Sequence, residues 1–450
     1  MLLCLALLIA GCSEDPERQA RENPAPETTG IPAPERTAPR EPRAGDSTTG
    51  GSRATDYGYT YTSESGNRLA KSVADLPEAE AVEVELGGTP RWVAGASTPE
   101  GTAWVAILED GRAEAFRLSP AGLEPAEISP RRLPPGAPPL LVSRGDELEL
   151  AVAESEESSE LTHPTPLSPD GDSGGLLVVG EDGTLSVERG GESRAIPQAP
   201  AALPDARAVR SPGGELALLT GPTGRYDHGV LGDDLEAASM TVLRPTRDGA
   251  RVISSFPAAS GGVFEGLAPM WFEHGGEELL AVTESVAGSG ARVSAYRPDG
   301  ELVSAGPFVG EGLRWRHLTA AAPFGPDGET ELSATLTPHM DSIAQFYEVG
   351  ESGLEITAGV PGYTSHRIYS RNLDAALAGD LDADGETELL LPDPSYTALG
   401  ALARAPGGAE AEWRLPLGGE LSTNLASAPG PNGRAEVAAG RSDGVLRIWR

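Results

Sequence analysis

The sequence predicts an all-β fold made of repeated four-stranded units, and three observations predict it. Glycine (57) and proline (40) are abundant in 450 residues, and aromatics make up only 5%. That balance favours many short strands joined by tight turns over long helices. One pattern also recurs along the chain: an apolar strand, a Gly/Pro/Asp turn, a second strand with Glu-Leu near its start, then two more strands. Finally, the last copy is one strand short, and one strand is left unassigned near the other end.

The chain opens with an uncharged apolar run too short to span a bilayer, ending Leu8-Ile9-Ala10-Gly11-Cys12. An apolar residue and two small ones before a cysteine resemble a bacterial lipobox. The resemblance implies a lipoprotein signal peptide over 1–11 and lipid on Cys12 that holds the chain to a membrane. With Ser13 rather than aspartate after the cysteine, it implies the outer membrane. Cys4 and Cys12 are the only cysteines, so a mature chain cut before Cys12 has no disulfide. Residues 12–56 are rich in Pro, Glu, Arg and Thr and show no apolar period. Such a segment cannot bury enough apolar surface to offset its chain entropy, and it reads as a disordered tether.

The repeats fill 57–450. AEAVEVEL (Ala79–Leu86) alternates apolar and charged residues, as a half-exposed edge strand does. Seven units follow. The first begins at WVAGASTPEGTAWVAIL. The second joins LLVSRGDELELAVAES to GGLLVVGEDGTLSVERG, and the third joins RAVRSPGGELALLTG to SMTVLRPTRDGARVISSF. The clearest three open LAPMWFEHGGEELLAVTES, LTAAAPFGPDGETELSATL and AALAGDLDADGETELLLPD, and the last is NLASAPGPNGRAEVAAGRSDGVLRIWR. Four short strands in about fifty residues suit one blade of a β-propeller. The expectation is therefore a seven-bladed propeller in which Ala79–Leu86 supplies the last blade's missing strand and closes the ring.

GDSGG at Gly171–Gly175 matches the string around the nucleophile of trypsin-like proteases. The chain lacks the histidine and aspartate segments that chemistry requires, and His163 lies too close to Ser173 to serve. The string reads as a polar turn. A net charge of −34 argues against nucleic acid as a partner. The six histidines show no paired spacing for a zinc enzyme.

One stretch carries metal chemistry. In GDLDADGETEL, Asp380, Asp382, Asp384, Gly385 and Glu388 fit D-x-D-x-D-G-x-x-[DE]. Oxygen donors at alternate positions can wrap one Ca²⁺, with the glycine permitting a sharp turn and Glu386 offering its backbone carbonyl. Strands flank this turn, so it is not an EF-hand. The arrangement resembles the FG-GAP (VCBS) repeats of integrin α-subunit propellers and their bacterial relatives. The resemblance implies a structural Ca²⁺ joining the first two strands of that blade, in a family of binding and adhesion modules. Other units depart from the motif. The next-to-equivalent turn keeps Asp327, Gly328 and Glu331, the last keeps Asn432, Gly433 and Glu436, and an earlier one has Met270, Phe272 and His274 where acids would stand.

Strand direction alternates, so links between units share a face with the turns between second and third strands. The long insertions on that face collect scarce large and basic residues: Tyr226, His228, Arg314, Trp315, Arg316, Tyr363, His366, Arg367, Tyr369 and Arg371. Arginine and aromatics gathered on one face of an acidic protein suit recognition of a protein or glycan at the cell envelope. The expected function is thus a non-enzymatic, lipid-anchored binding or scaffold module with a calcium site. The rival is a hydrolase or lyase acting on glycan from the propeller channel, which would require an Asp/Glu/His/Tyr cluster with displaced pKa values.

Overall fold

The computed structural model describes residues 55–58, 68–168, 175–350 and 352–450. Cys12, the apolar run before it, nearly all of the tether and Gly171–Gly174 lie outside the described residues. The described chain forms thirty-one strands and no helix.

The strands group into antiparallel meanders, numbered here in chain order. Sheet 1 holds Pro90–Thr98, Gly101–Leu108, Ala113–Ser119 and Gly122–Ala126. Sheet 2 has three strands, Thr55–Gly58, Leu141–Arg144 and Glu147–Leu150. Sheet 3 runs from Thr165–Pro166 through Leu176–Val179 and Leu185–Arg189 to Glu192–Ala195. Sheet 4 spans 209–257 and sheet 5 spans 263–305; a pairing of Ala237 with Phe264 joins them. Sheet 6 spans 316–361 and sheet 7 spans 377–416. Sheet 8 is Leu421–Pro429, Ala435–Arg441 and Val445–Trp449, completed by Ala81–Glu85.

That last pairing runs Ala81 to Glu85 antiparallel against Trp449 to Val445. AVEVE alternates because one side packs on the sheet: Val82 and Val84 lie against the cluster of Leu446 and Ile448, and the glutamates face outward.

In the four-stranded sheets the inner strands are largely buried and the fourth is the most exposed. Gly101–Leu108 is buried along its whole length, whereas Glu192–Ala195 is exposed along its whole length. Inner strands therefore read as continuous apolar runs and outer ones as charged alternations. Consecutive sheets then pack face to face, because each strand row has two apolar faces. Leu390, Leu399 and Ala401 of sheet 7 meet Leu425, Val437 and Trp449 of sheet 8. Ala426, Ala438 and Ile448 of sheet 8 meet Val93, Trp104 and Phe116 of sheet 1. Equivalent clusters lie between sheets 1 and 2, 5 and 6, and 6 and 7.

The structure corrects one unit boundary. The segment expected to form a single second unit, 140–190, divides between sheets 2 and 3. Leu141–Arg144 takes its inner partner from Thr55–Gly58, which the sequence reading placed across the end of the tether. Thr165–Pro166 then opens a separate sheet by pairing with Leu176 and Leu177. The pattern could not reveal this, because a two-residue strand carries no period.

Close packing makes one glycine obligatory. A Cβ on Gly400 would lie 2.1 Å from the Tyr363 ring. Gly400→Ala is expected to cost about 1–3 kcal/mol through overpacking, visible as a lower urea midpoint with an unchanged m-value; an unchanged midpoint would mean that Tyr363 swings away freely.

Candidate functional site

The acidic turn joins the first two strands of sheet 7, Leu377–Gly379 and Glu388–Pro392, with Gly379 paired to Glu388. Its backbone is fixed from two directions. Residues 68–76 run beside it: Ala70 N–H donates to Ala378 O (2.7 Å), Ala74 N–H to Asp380 O (2.8 Å) and Leu76 N–H to Leu381 O (2.8 Å). Within the turn, Asp380 Oδ2 accepts from Gly385 N–H (3.1 Å), Asp382 Oδ1 from Asp384 N–H (3.2 Å) and Asp384 Oδ1 from Glu386 N–H (2.8 Å). Ala383 takes a left-handed φ of 66°, uncommon for a residue with a side chain.

These bonds leave oxygens aimed inward. Carboxylate oxygens of Asp380, Asp382 and Glu388 lie within 4.8 Å of one another, and a second group joins Asp382 and Asp384 to Glu412. Glu388 is fully buried; its Oε2 accepts from Leu381 N–H at 2.6 Å, while its Oε1 and Asp380 Oδ1 are buried without a partner. Trp413 Nε1–H donates to Asp382 Oδ2 (3.0 Å). The Glu386 side chain is exposed and joins neither group. Glu412, on the fourth strand of the sheet, was not singled out by sequence reasoning; only the alternation of AEAEW marks its side of the strand.

The electrostatics follow. Burial, then the charges of Asp382, Asp384 and Asp380, push the Glu388 carboxyl up to about 8 against one opposing N–H bond. Burial and Asp384 also raise Asp382, and burial with Asp382 raises Glu412. Such a group of acids is strained when ionised and would be relieved by a cation, and oxygen donors of this kind are those Ca²⁺ takes.

A repeat of the same position gives an internal comparison. Glu331 opens the second strand of sheet 6 as Glu388 opens that of sheet 7, and it too is buried. It is met by the Arg404 guanidinium, with Nε to Oε2 at 2.7 Å and Nη2 to Oε1 at 3.0 Å. In sheet 8, Glu436 accepts from Thr102 Oγ1. Where the metal motif is lost, the chain itself provides a donor for the buried carboxylate. Glu388 keeps the full motif and meets no side-chain cation among the described residues.

A pH dependence follows. Without a cation, folded Glu388 holds its proton up to about pH 8, whereas the unfolded side chain ionises near 4.5. The folded state binds more protons between these values, so this group's contribution to stability falls as pH rises through that window. Melting temperatures in chelator should therefore decline from about pH 4.5 to about pH 8, and saturating Ca²⁺ should flatten the decline. Parallel profiles with and without Ca²⁺ would contradict it.

The insertions of the other face do converge, around an apolar cluster of Val230, Leu231, Leu267, Trp315 and Leu373. Packing consumes much of what they carry. Tyr226, Trp315, Arg316, Tyr363 and His366 are buried. Trp315 stacks on His317 (4.9 Å) and meets His366 edge-on (5.2 Å), and Arg316 bonds Pro307 O. Arg367 lies 3.7 Å over the Tyr396 ring and pairs with Glu420 (2.7 Å). Arg371 bridges Asp205 (2.9 Å) and Asp233. Solvent reaches Arg314 and Tyr369 most, and His228 in part.

Two buried polar groups lie beneath these loops. Asp374, with a fully buried side chain, binds Arg68 Nε (3.0 Å) and Arg207 Nη1 (2.7 Å). Arg68 continues to Leu318 O and Thr319 O of sheet 6, Arg207 lies 5.3 Å from the Trp92 ring of sheet 1, and Asp374 O accepts from Leu425 N–H of sheet 8. The second group contains Glu265, bonded by His228 Nδ1 and Ser285 Oγ, and Glu236, raised well above its ordinary range by burial first and then by Glu265, Asp233 and Asp205. Both residues are 3% exposed.

No family model matches the chain, and no curated protein matches it. Solved structures do. A chain of the crystal structure of the mitotic checkpoint complex covers 94% of this chain and 98% of its own at 11% identity, with a TM-score of 0.42. Sqt1 from Chaetomium thermophilum covers 85% and 99% at 13% identity and 0.46. A europium-containing methanol dehydrogenase covers 83% and 88% at 10% identity and 0.50. At such identities a likeness speaks to fold alone, and the strands themselves give an all-β architecture of antiparallel, mostly four-stranded sheets.

Proposed function

We propose that this chain is a non-enzymatic binding or scaffold module of the cell envelope, built on a closed propeller and clamped by one structural Ca²⁺ at Asp380, Asp382, Asp384 and Glu388. The ring has eight blades in this reading, one more than the repeats suggested, because sheets 2 and 3 each form a blade. Apolar clusters between consecutive sheets and the pairing of Ala81–Glu85 with Val445–Trp449 support closure. The lipobox-like Leu8–Cys12 supports anchorage by lipid, with the outer membrane as the expected site.

The observation that carries the calcium assignment is the contrast between two buried glutamates. Glu331 has Arg404 against it, and Glu388 has only acids and one N–H. A role other than catalysis is favoured because Glu236 and Glu265 are sealed and because Asp374 is saturated by two arginines. Calorimetric titration of the chelator-treated chain with Ca²⁺ tests the reading. It should give one site, lost in Asp382→Ala and Glu388→Gln. No heat, or equal binding by the variants, would remove the clamp. Labelled palmitate incorporated by the wild type and not by Cys12→Ser tests the anchor.

A further inference from the structure

Eight large apolar side chains are more than a third exposed among the described residues, and four of them surround one cavity: Leu313 (51%), Met340 (78%), Ile368 (53%) and Tyr369 (70%). The cavity measures 500 Å³ and is walled by loops of sheets 4 and 6 and by the links on either side of sheet 6. Isolated exposed apolar residues are ordinary, but four around one concavity mark an interaction site.

The exposed groups are held rigidly. The N–H groups of Met340, Asp341 and Ser342 all converge on Thr337 O (2.9, 3.1 and 3.2 Å), and Thr337 Oγ1 bonds Asp341 Oδ2 (2.8 Å). Tyr369 sits at a left-handed φ of 65° with its N–H on Val230 O (2.8 Å). Backbone strain at an exposed aromatic is typical of binding positions. Loops whose backbone is fixed in this way lose little backbone freedom on binding.

Several polar groups of the wall are acceptors, while Trp315 Nε1–H is a buried donor without a partner. His366 Nε2–H is committed to Ser370 O (2.6 Å), so His366 Nδ1 accepts from His339 Nε2–H (2.7 Å). The hydrogen bonds thereby assign His339 a bare Nδ1. Burial holds His366 at about 3, consistent with a neutral ring. His228 directs Nδ1 to Glu265. Asp227 adds an exposed carboxylate beside them. A ligand matching this wall brings N–H donors and positive charge together with apolar surface. Tyr369 adds an exposed aromatic face that attracts cations.

We propose that this cavity docks a basic, apolar segment of a partner protein. An arginine or lysine would meet Asp227 and the bare Nδ1 of His339, and neighbouring apolar side chains would cover Leu313, Met340 and Ile368. The charge of −34 favours such a partner by long-range attraction. The proposal rests on the binding-module reading but not on its calcium clamp.

The test is fluorescence anisotropy of labelled Leu-Arg-Leu-Arg-Leu-Arg amide with the full-length chain at physiological salt, in Ca²⁺ and in chelator. Saturable binding is expected. It should weaken about tenfold in Asp227→Asn, a loss of about 1.4 kcal/mol, and comparably in Tyr369→Asn, a residue that tolerates the left-handed backbone. Glu124→Gln, on an exposed strand of sheet 1, should bind as wild type does. Equal affinity in all variants would reduce the effect to unspecific attraction and overturn the proposal. So would equal binding of the Leu-Glu counterpart, binding of free arginine amide as tight as the peptide's, or no binding. Loss of the peptide only in chelator would mean that the clamp shapes this face, contradicting the stated independence; failure of the clamp alone leaves the titration unchanged.

Discussion

Asp374→Ala is expected to destabilise the chain by about 3–5 kcal/mol, the cost of breaking a buried ion pair from one side. The carboxylate makes ionic contacts with two buried guanidinium groups, Arg68 and Arg207, at 3.0 and 2.7 Å. Removing it takes the shared anion from two buried guanidinium groups in a region that links sheets 1, 6 and 8 through Trp92, Leu318 and Leu425. A loss of this size is a large part of a typical folding free energy. Urea unfolding should show a markedly lower midpoint, and Asp374→Asn should fall between the two because the amide still accepts one hydrogen bond. A midpoint within about 0.5 kcal/mol of wild type, the range of surface substitutions, would show that the network adds nothing to folding.

Arg404→Ala should cost a similar amount, about 3–5 kcal/mol, because it strands Glu331 as an unpaired buried carboxylate. Pairing Arg404→Met with Glu331→Leu should recover most of the loss, since apolar replacement of a whole buried pair is often neutral or stabilising. This cycle bears on the acidic turn as well. If Glu331 needs a partner, Glu388 in the equivalent position needs one also. A double variant no more stable than the single one would mean that Arg404 acts through its packing on Phe346, 5.8 Å away, rather than through its charge.

The sequence made the repeating parts of this fold readable and hid the parts that do not repeat. AEAVEVEL stood out because a strand covered on one side must alternate, and Ala81–Glu85 lies on the final sheet accordingly. The acidic turn stood out because oxygen donors at alternate positions leave a rigid pattern. Thr55–Gly58 did not, since a four-residue strand at the end of a polar segment takes its identity from Leu141–Arg144 alone. Glu412 was hidden because it reaches the turn across the sheet, from twenty-four residues beyond Glu388 in a strand whose charges otherwise read as solvent-facing. The insertions drew attention by composition, yet composition could not tell Trp315, which became core, from Tyr369, which stayed outside. That distinction depends on how four loops meet. The gathering of His228, His317, His339 and His366 from distant segments depends on it too.

The most direct measurement is thermal unfolding of wild type and Glu388→Gln with Ca²⁺ and with chelator. A ligand that binds only the folded state at a hundred times its Kd adds about 2.7 kcal/mol, so Ca²⁺ should raise the wild-type melting temperature. The variant should lose that response, and in chelator near neutral pH it should melt higher than wild type because its buried side chain no longer has to take up a proton on folding. Identical melting of wild type in both conditions, or a Ca²⁺ response that survives in Glu388→Gln, would contradict a cation clamp in this turn.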